Sequence, residues 1–555
     1  MRLPKIRQLT EEQKKVYLYA PTDRHVLVQG PPGTGKTLIA CLRAIELQKR
    51  KFPVVLGMFN RVLAKYSSNV GDGQMMPSIT VLRWFQDWWA NACLPPHPAM
   101  PEDILIQVPF EEIAEIKLVG GRWKRDAWRP WGGGKGAWTV DPAIYLANPE
   151  KFGKWKAWHK PPVVDGNLFR LDWDEIASFL LENEELISDS SLNLGCVLID
   201  EGQDFPPGFY KTLHRISAFG AARGRERVPH PPRCFVLADE NQQITEENST
   251  LEEITNALKI SQEHHYVLLD NFRNSKEIAE LARSFFADVG VLPRIPDRCS
   301  SKPSYISLAG HSEVVEKIRI WMTNNPQKEA GVFVFNDVLR EDLVTALEIS
   351  LSQINGRNIT VQTYSWKSRN KFPIKNLQFD KPDTVTVLNI QSCKGLEFDA
   401  VFIVDLHQAQ FGIYGEDRFK MQMFVAVSRA RDFVNLLDSG RQAGYGPYFQ
   451  HLPSPEYLAR EQESIHGLIA VNTGNQASGK SAPEDRTSIQ EPGNSNSSSK
   501  WEDSFAVLAK EFGWRYEDKR PKNGALWVMG GMDLEQHLRP LGFTYAASRS
   551  AWWIK

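Results

Sequence analysis

Residues Gly30-Pro-Pro-Gly-Thr-Gly-Lys36-Thr37 follow the apolar run His25-Val-Leu-Val-Gln29 and precede Leu38–Lys49, whose apolar residues recur at helical spacing. Few features restrict a fold as tightly. Strand, glycine-rich loop and helix in that order predict a buried parallel strand and a loop with inward-pointing N–H groups. Gly30, Gly33 and Gly35 permit the tight turn, and the positive end of the helix then faces the loop, which favours phosphate. Lys36 would reach β- and γ-phosphates, and the Thr37 hydroxyl would ligate Mg²⁺. Gly474-Asn-Gln-Ala-Ser-Gly479-Lys480-Ser481 fits the same pattern, but Ala482-Pro483 and a polar tract follow it. No helix can supply the dipole there, so this second match reads as a decoy.

A second constraint lies at Cys196-Val-Leu-Ile199-Asp200-Glu201. The apolar residues predict a buried strand, with the acids at its C-terminal end, where open α/β sheets place ligands. Asp200 would hold Mg²⁺ through water, and Glu201 would orient and deprotonate the attacking water. Alone, the acidic pair is weak evidence. With Lys36 upstream it completes a triphosphate-hydrolysing site, for which ATP and Mg²⁺ are the expected ligands.

From here the motifs resemble, in order over residues 8–435, those of the superfamily-1 helicases of the UvrD/Rep type. Leu9-Thr-Glu-Glu-Gln13 is similar to the family's adenine-reading motif, and Val54–Ala64, with Asn60 and Arg61, to motif Ia. Ile79-Thr80-Val81 resembles the next DNA-touching segment, Asp200-Glu201-Gly-Gln203-Asp204 motif II, and Phe235–Gln242 motif III. Asn271-Phe272-Arg273, Gln391–Asp399 and Val425–Ala430 resemble motifs IV, V and VI. The resemblance implies that Gln13 reads adenine, Phe272 stacks on it, and Gln242 senses the γ-phosphate. It implies that Arg273 and Arg429 are arginine fingers reaching from the second motor domain, that Glu397 binds ribose, and that Gly395 lies near the γ-phosphate. Asn60, Arg61 and Thr80 would contact DNA. The chain departs from the family pattern at Ala238, Thr245, Asn389, Gln391 and Ser428. The Asp-Glu-Gly-Gln-Asp and Lys-Gly-Leu-Glu-Phe strings favour the UvrD-like branch, which implies 3′→5′ movement.

The expected fold class is α/β, with two RecA-like parallel-sheet motor domains, an inserted 1B subdomain and a small C-terminal α+β module. Residues 1–90 and 191–280 would form motor domain 1A, 91–190 the insertion, and 281–450 motor domain 2A. Residues 451–500 would be a linker, disordered from about 472, and 501–555 an accessory module. The insertion carries tryptophans at 123, 128, 131, 138, 155, 158 and 173. From Lys117 to Lys160 it has ten Lys/Arg against three Asp/Glu. Basic residues interleaved with aromatics are the signature of a single-strand path, with Trp123, Arg125 and Trp128 as candidates; a tryptophan core is the alternative. About 35 residues separate the helix near 337–349 from the strand at 385, too few for the family's 2B module.

The charge balance, 66 Lys+Arg against 67 Asp+Glu, means that any nucleic-acid groove must be a local patch. Six cysteines without metal spacing, no apolar leader and no long apolar run point to a cytoplasmic protein without a membrane segment. The expected activity is an ATPase that moves on single-stranded DNA or at a single-strand/duplex junction, an enzyme of DNA repair or antiviral defence. An RNA-directed motor, and an ATP-gated subunit that controls a nuclease or other partner through the C-terminal module, are the alternatives.

Overall fold

The computed structural model describes residues 9–58, 79–98, 102–130, 134–167, 170–242, 248–288, 290–409, 415–440 and 447–462, and, near the C-terminus, 516–518, 526–529, 538, 544–546 and 551–554. They divide into two units, Met1–Gly467 and Leu468–Lys555.

The first three strands are β1 (Val26–Gln29), β2 (Val54–Met58) and β3 (Ile79–Thr80). The chain then forms helix Val81–Asn91 and the strands β4 (Ile104–Gln107), β5 (Arg122–Trp128), β6 (Lys135–Val140) and β7 (Lys156–Trp158). These four make a separate antiparallel sheet in the order β5-β6-β4-β7. The chain returns through β8 (Cys196–Ile199), β9 (Arg233–Ala238) and β10 (His265–Val267). Together with β1–β3 these form a six-stranded parallel sheet, β10-β1-β9-β8-β2-β3.

The apolar runs read as strands because both faces are covered. Val26, Val28, Leu56, Leu198, Phe235 and Leu237 pack on Ile39, Ala40 and Ala44 of helix Lys36–Lys49. The alternate residues Leu27, Val197, Ile199 and Val236 pack on the other face, against Trp84, Phe85, Trp88 and Trp89 and against helix Pro207–Ala222. The period of two along each strand and the period of 3.6 along each helix thus give one three-layer core.

A second parallel sheet has seven strands: β11 (Ser304–Leu308), β12 (Glu329–Val334), β13 (Thr360–Tyr364), β14 (Thr384–Asn389), β15 (Phe398–Val404), β16 (Ala430–Ser439) and β17 (Ala459–Gln462). Their order is β13-β14-β12-β15-β16-β11-β17. Helix Asp337–Ser352 is separated from β14 by β13 and one short 3₁₀ turn, Ile374–Asn376. Helix Lys276–Ser284 packs on β16 and on helix Gly415–Val427 of the second sheet. One apolar cluster is shared by the two sheets, running from Val28 and Ile39 through Leu268, Leu281 and Phe285 to Phe333, Leu388 and Phe424.

Four of the insertion's tryptophans follow the alternative of a tryptophan core. Trp138, Trp155 and Trp158 are buried. Trp138 and Trp155 pack with Ile104, Ile106, Val140 and Phe152, and Trp173 meets Phe85 and Phe209 edge-on. A four-stranded sheet this small has few aliphatic side chains for its interior, and large rings fill it instead. Trp131 lies outside the described residues.

In the C-terminal unit, β18 (Tyr516–Asp518), β19 (Leu526–Met529), β20 (Thr544–Ala546) and β21 (Ala551–Ile554) form an antiparallel sheet, β18-β19-β21-β20. Leu526, Val528 and Trp552 are buried. The expected helix at Phe505–Phe512 and the linker at 472–500 lie outside the described residues. No described helix is long and apolar enough to cross a membrane.

Candidate nucleotide site between the two sheets

The parallel ladder continues one residue past β1, β8 and β10, which keeps their C-terminal ends beside that of β9. Gly30 N–H donates to Ala238 O at 3.2 Å, Asp200 N–H to Gly57 O at 3.0 Å, and Leu268 N–H to Gln29 O at 2.9 Å. The loop after β1 turns through Gly33 and Gly35, both with φ of +84°. A side chain at Gly33 would place Cβ 2.3 Å from Asn271 Oδ1, and one at Gly35 would place it 2.9 Å from Gln13 Nε2. Both glycines are therefore required by backbone and by space. The helix that follows, Lys36–Lys49, has no side-chain cap at its N-terminus. Its first N–H groups keep their donors for an anion.

Lys36 is buried, and its ammonium donates to Gly30 O and, at 3.2 Å, to Pro31 O. Burial lowers its pKa, while the Asp239, Glu201 and Asp200 carboxylates oppose the fall. Thr37 Oγ1 donates to Asp200 Oδ2 at 2.6 Å. Burial, and then the charge on Glu201, pushes the Asp200 carboxyl up to about 6. Glu201 takes the left-handed conformation, φ +55° and ψ +45°, which costs roughly 1–2 kcal/mol for a residue with a Cβ. Burial would raise its pKa too, but Lys394 and then Lys36 hold it below the usual carboxylate range. Gln203 ties the strand ends together: its Nε2 donates to Glu201 Oε2 at 2.8 Å, and its Oε1 accepts Asp239 N–H at 2.9 Å.

The second sheet supplies the facing wall. Lys394, in the β14–β15 connection, is fully buried. It donates to Asp204 Oδ2 at 2.6 Å and to Gln242 O at 2.5 Å, and lies 3.7 Å from Glu201. Arg429, at the end of the helix before β16, donates to Gln242 Oε1 at 3.0 Å, and Gln242 Nε2 donates to Asp239 Oδ2 at 2.6 Å. Burial, and then the neighbouring Arg273, lowers the Arg429 pKa to about 10. Glu397 accepts from Arg273 at 3.1 Å and from Arg431 at 2.7 Å. Burial opposes ionisation, but these two guanidiniums outweigh it and hold the Glu397 carboxyl down at about 2. One cleft is lined by Gly33, Lys36, Thr37 and Glu201 from the first sheet and by Gly395, Glu397, Arg429 and Arg431 from the second.

Arg273 differs from its expected placement. It lies on the segment that leaves β10, not on the second sheet. Phe272 N–H donates to Gly33 O at 3.0 Å, and Arg273 Nη1 donates to Ser428 O at 3.2 Å. Asn274 clasps Ser428 O and Ala430 O, so this segment is sewn to the start of β16. Phe272 is 54% exposed at the cleft. Gln13 is buried; it completes a capping box with Thr10 and donates to Thr34 O at 3.0 Å.

The strand-contact candidates are scattered. Thr80 ends β3 and stands at the N-cap position of helix Val81–Asn91, without a side-chain capping hydrogen bond, at the edge of the first sheet. Trp123 is 47% exposed, edge-on to Trp138 at 5.5 Å, with the Arg129 guanidinium 5.7 Å from its ring centroid. Arg125 is exposed on the same strand. Trp128 pairs with Lys135 beyond a register shift, and its side chain lies outside the described residues, as do Asn60 and Arg61.

Sequence reasoning gave no role to Lys394, Arg431, Gln203 or Asn271. Lys394 and Arg431 flank the motif residues Gly395 and Arg429 by one or two positions, and that adjacency was the available signal.

The donor set suits a nucleoside triphosphate: a glycine loop with no room for Cβ atoms, an uncapped helix, a buried ammonium and two facing guanidiniums. A hydroxyl and a carboxylate at contact distance are hard oxygen donors of the kind Mg²⁺ accepts.

Comparison with known proteins agrees with this geometry in one segment. Residues 384–437 match the family model of the UvrD-like helicase C-terminal domain. A search of curated proteins finds no match. Among solved structures, the C-terminal domain of a possible DNA helicase from Lactobacillus plantarum WCFS1 is similar at 16% identity and TM-score 0.24, over 34% of this chain and 97% of that one. The DUF1998 helicase MrfA bound to DNA is similar at 12% identity and TM-score 0.40, over 81% of this chain and 48% of that one. MrfA bound to DNA and AMPPNP gives 14% identity and TM-score 0.37, over 78% and 48%. The chain thus spans about half the length of MrfA. Residues 384–437, which are similar to the UvrD-like helicase C-terminal domain, carry Lys394, Gly395, Glu397, Arg429 and Arg431 of the wall that the second sheet presents to the cleft.

Proposed function

We propose that the chain is an ATP-dependent translocase or helicase on single-stranded DNA, moving 3′→5′, with residues 1–90 and 191–280 as one motor domain and 281–450 as the other. The observation that carries this reading is the chain Arg429–Gln242–Asp239, which crosses from the second sheet to the end of β9 beside Lys36. A group that bridges the sheets only when they are closed couples chemistry to domain movement.

In this reading Lys36 exchanges its loop carbonyls for phosphate oxygens. Glu201, held ionised by Lys394, accepts the proton of the attacking water. Arg429 and Arg273 neutralise charge that develops on the transferred group. Thr37 and Asp200 would hold Mg²⁺, which supplies charge neutralisation on the phosphates. Phe272 and Gln13 would take the base, and Glu397 the ribose.

The test is ATP turnover with and without single-stranded DNA, followed by strand displacement on substrates with a 3′ or a 5′ tail. Stimulation by DNA and displacement from a 3′ tail are expected, with turnover abolished by Lys36→Ala and by Glu201→Gln. Stimulation by RNA alone would move the reading to an RNA motor. Turnover without movement would move it to a nucleotide-gated subunit acting on a partner.

A further inference from the structure

On the second sheet, away from the nucleotide cleft, β15 and β16 each end on a buried acid. Asp405 follows β15 and Asp438 lies at the end of β16, and neither is exposed to solvent. The strands are adjacent and parallel, so the two carboxylates meet at one edge. Two imidazoles join them. His407 Nδ1 lies 2.7 Å from Asp438 Oδ1, and His311 Nε2 lies 2.6 Å from Asp405 Oδ2.

The remaining contacts of the acids are with neutral donors. Ser439 N–H and Oγ both donate to Asp405 Oδ1, at 3.0 and 2.7 Å, and Gln408 donates to Oδ2 at 3.2 Å. Tyr305 and Tyr448 hydroxyls donate to Asp438 Oδ2. Arg460 lies over the Tyr305 ring rather than against a carboxylate. Among the described residues, the ion-pair partners of these two acids are imidazoles only. Two negative charges out of water, with no lysine or arginine to balance them, are expensive. A divalent cation balances them fully.

We propose that Asp405, His407, Asp438 and His311 form a binding site for a first-row divalent cation of the zinc class. The ligand atoms of Asp405, His407 and Asp438 lie within 4.8 Å of one another. Tetrahedral donors at about 2.0–2.1 Å from zinc stand roughly 3.4 Å apart, so these three close by at most about 1.4 Å, and His311 adjoins them through Asp405 Oδ2 at 2.6 Å. His407 is part-buried and His311 half-exposed, and rotation of these rings supplies the closure. Two imidazoles with two carboxylates suit zinc over magnesium or calcium, which prefer oxygen alone. The metal would take the ring nitrogens that now hydrogen-bond the carboxylates, so ion and protons compete for the same positions. Ser439, Gln408 and the two tyrosines would hold the carboxylates in orientation. The ion would fasten the ends of β15 and β16 to the start of helix His311–Asn324. This site is independent of the motor reading.

The test uses the full chain, stripped with EDTA, dialysed and titrated with Zn²⁺ and with Co²⁺. One equivalent is expected to bind per chain, with tetrahedral Co²⁺ absorption and a raised melting temperature. His407→Ala and His311→Ala change part-exposed side chains, so both chains should fold, and each should weaken binding at least about tenfold. Asp200→Asn, in the nucleotide cleft, should leave the equivalent in place. The proposal is overturned if no ion binds, if either histidine variant binds as tightly as the unchanged chain, or if Asp200→Asn removes the equivalent.

Discussion

Replacing Lys394 by methionine keeps the length of a fully buried side chain and deletes its charge. Asp204, at 2.6 Å, and Glu201, at 3.7 Å, then remain buried without their cation. Removing one partner of a buried ion pair costs about 3–5 kcal/mol, because the other charge stays desolvated. Lys394 belongs to the second sheet and its partners to the first, so the cost falls on the closed arrangement. Closure should weaken about a hundredfold to several-thousandfold, since 1.4 kcal/mol is about tenfold. A second effect has its own signature. Lys394 is the largest influence holding the Glu201 pKa down. Without it, Glu201 takes up its proton at higher pH, and the acid limb of the ATP turnover profile moves up. The assay is kcat/KM from pH 5 to 9, with thermal unfolding of the same samples. Adding Asp204→Asn should restore part of the stability, because residue 204 then carries no charge for Lys394 to balance, and the double-mutant cycle should give a coupling of about 1–3 kcal/mol. A Lys394→Met chain with the original acid limb and melting temperature would refute the reasoning.

Asp200→Asn should abolish turnover yet stabilise the nucleotide-free chain at pH 7. The native pKa of Asp200 is raised to about 6 from 3.8, so its contribution to stability is present below 3.8 and lost as pH rises through 6. The variant escapes that loss, and a gain of about 1–3 kcal/mol, read by urea unfolding, should vanish near pH 4. Glu397→Ala leaves the Arg273 and Arg431 guanidiniums without their shared carboxylate; stability should fall by about 2–4 kcal/mol and KM for ATP should rise, measured by unfolding and steady-state kinetics. Trp123→Ala should raise the DNA concentration for half-maximal stimulation by about 5- to 150-fold, since one base stacked on an aromatic ring is worth about 1–3 kcal/mol.

Local rules made the first wall of the cleft legible. The strand at 26–29, the glycines with positive φ and the helix from Lys36 all follow from neighbours in sequence. The same holds for the buried β8 run that ends at Asp200. The facing wall was legible only through motif order, because its contacts join residues far apart in the chain. Nothing around Lys394 announces Asp204, 190 positions away. For the insertion's tryptophans, sequence left two readings open for a different reason. A ring beside a lysine has the same composition in a core and on a nucleic-acid path, and burial decides between them. Trp155 and Trp158 each lie under a lysine ammonium and are nonetheless interior. Arg273 was misplaced because motif order gives the cleft but not the strand from which a residue reaches it.

The position of β1 in its sheet has a consequence for synthesis. Its ladder neighbours are β9 and β10, so the phosphate loop leaves the ribosome before either partner exists. About 200 residues separate Gln29 from Arg233, which is roughly 10–40 s of elongation at ~5–20 residues per second. During that interval the apolar edges of β1 have no partner strand. The intervening antiparallel sheet, whose strands all lie within residues 104–158, is able to form meanwhile. A nascent chain paused before residue 233 should therefore protect the tryptophan-rich insertion from protease while leaving Lys36 open to it.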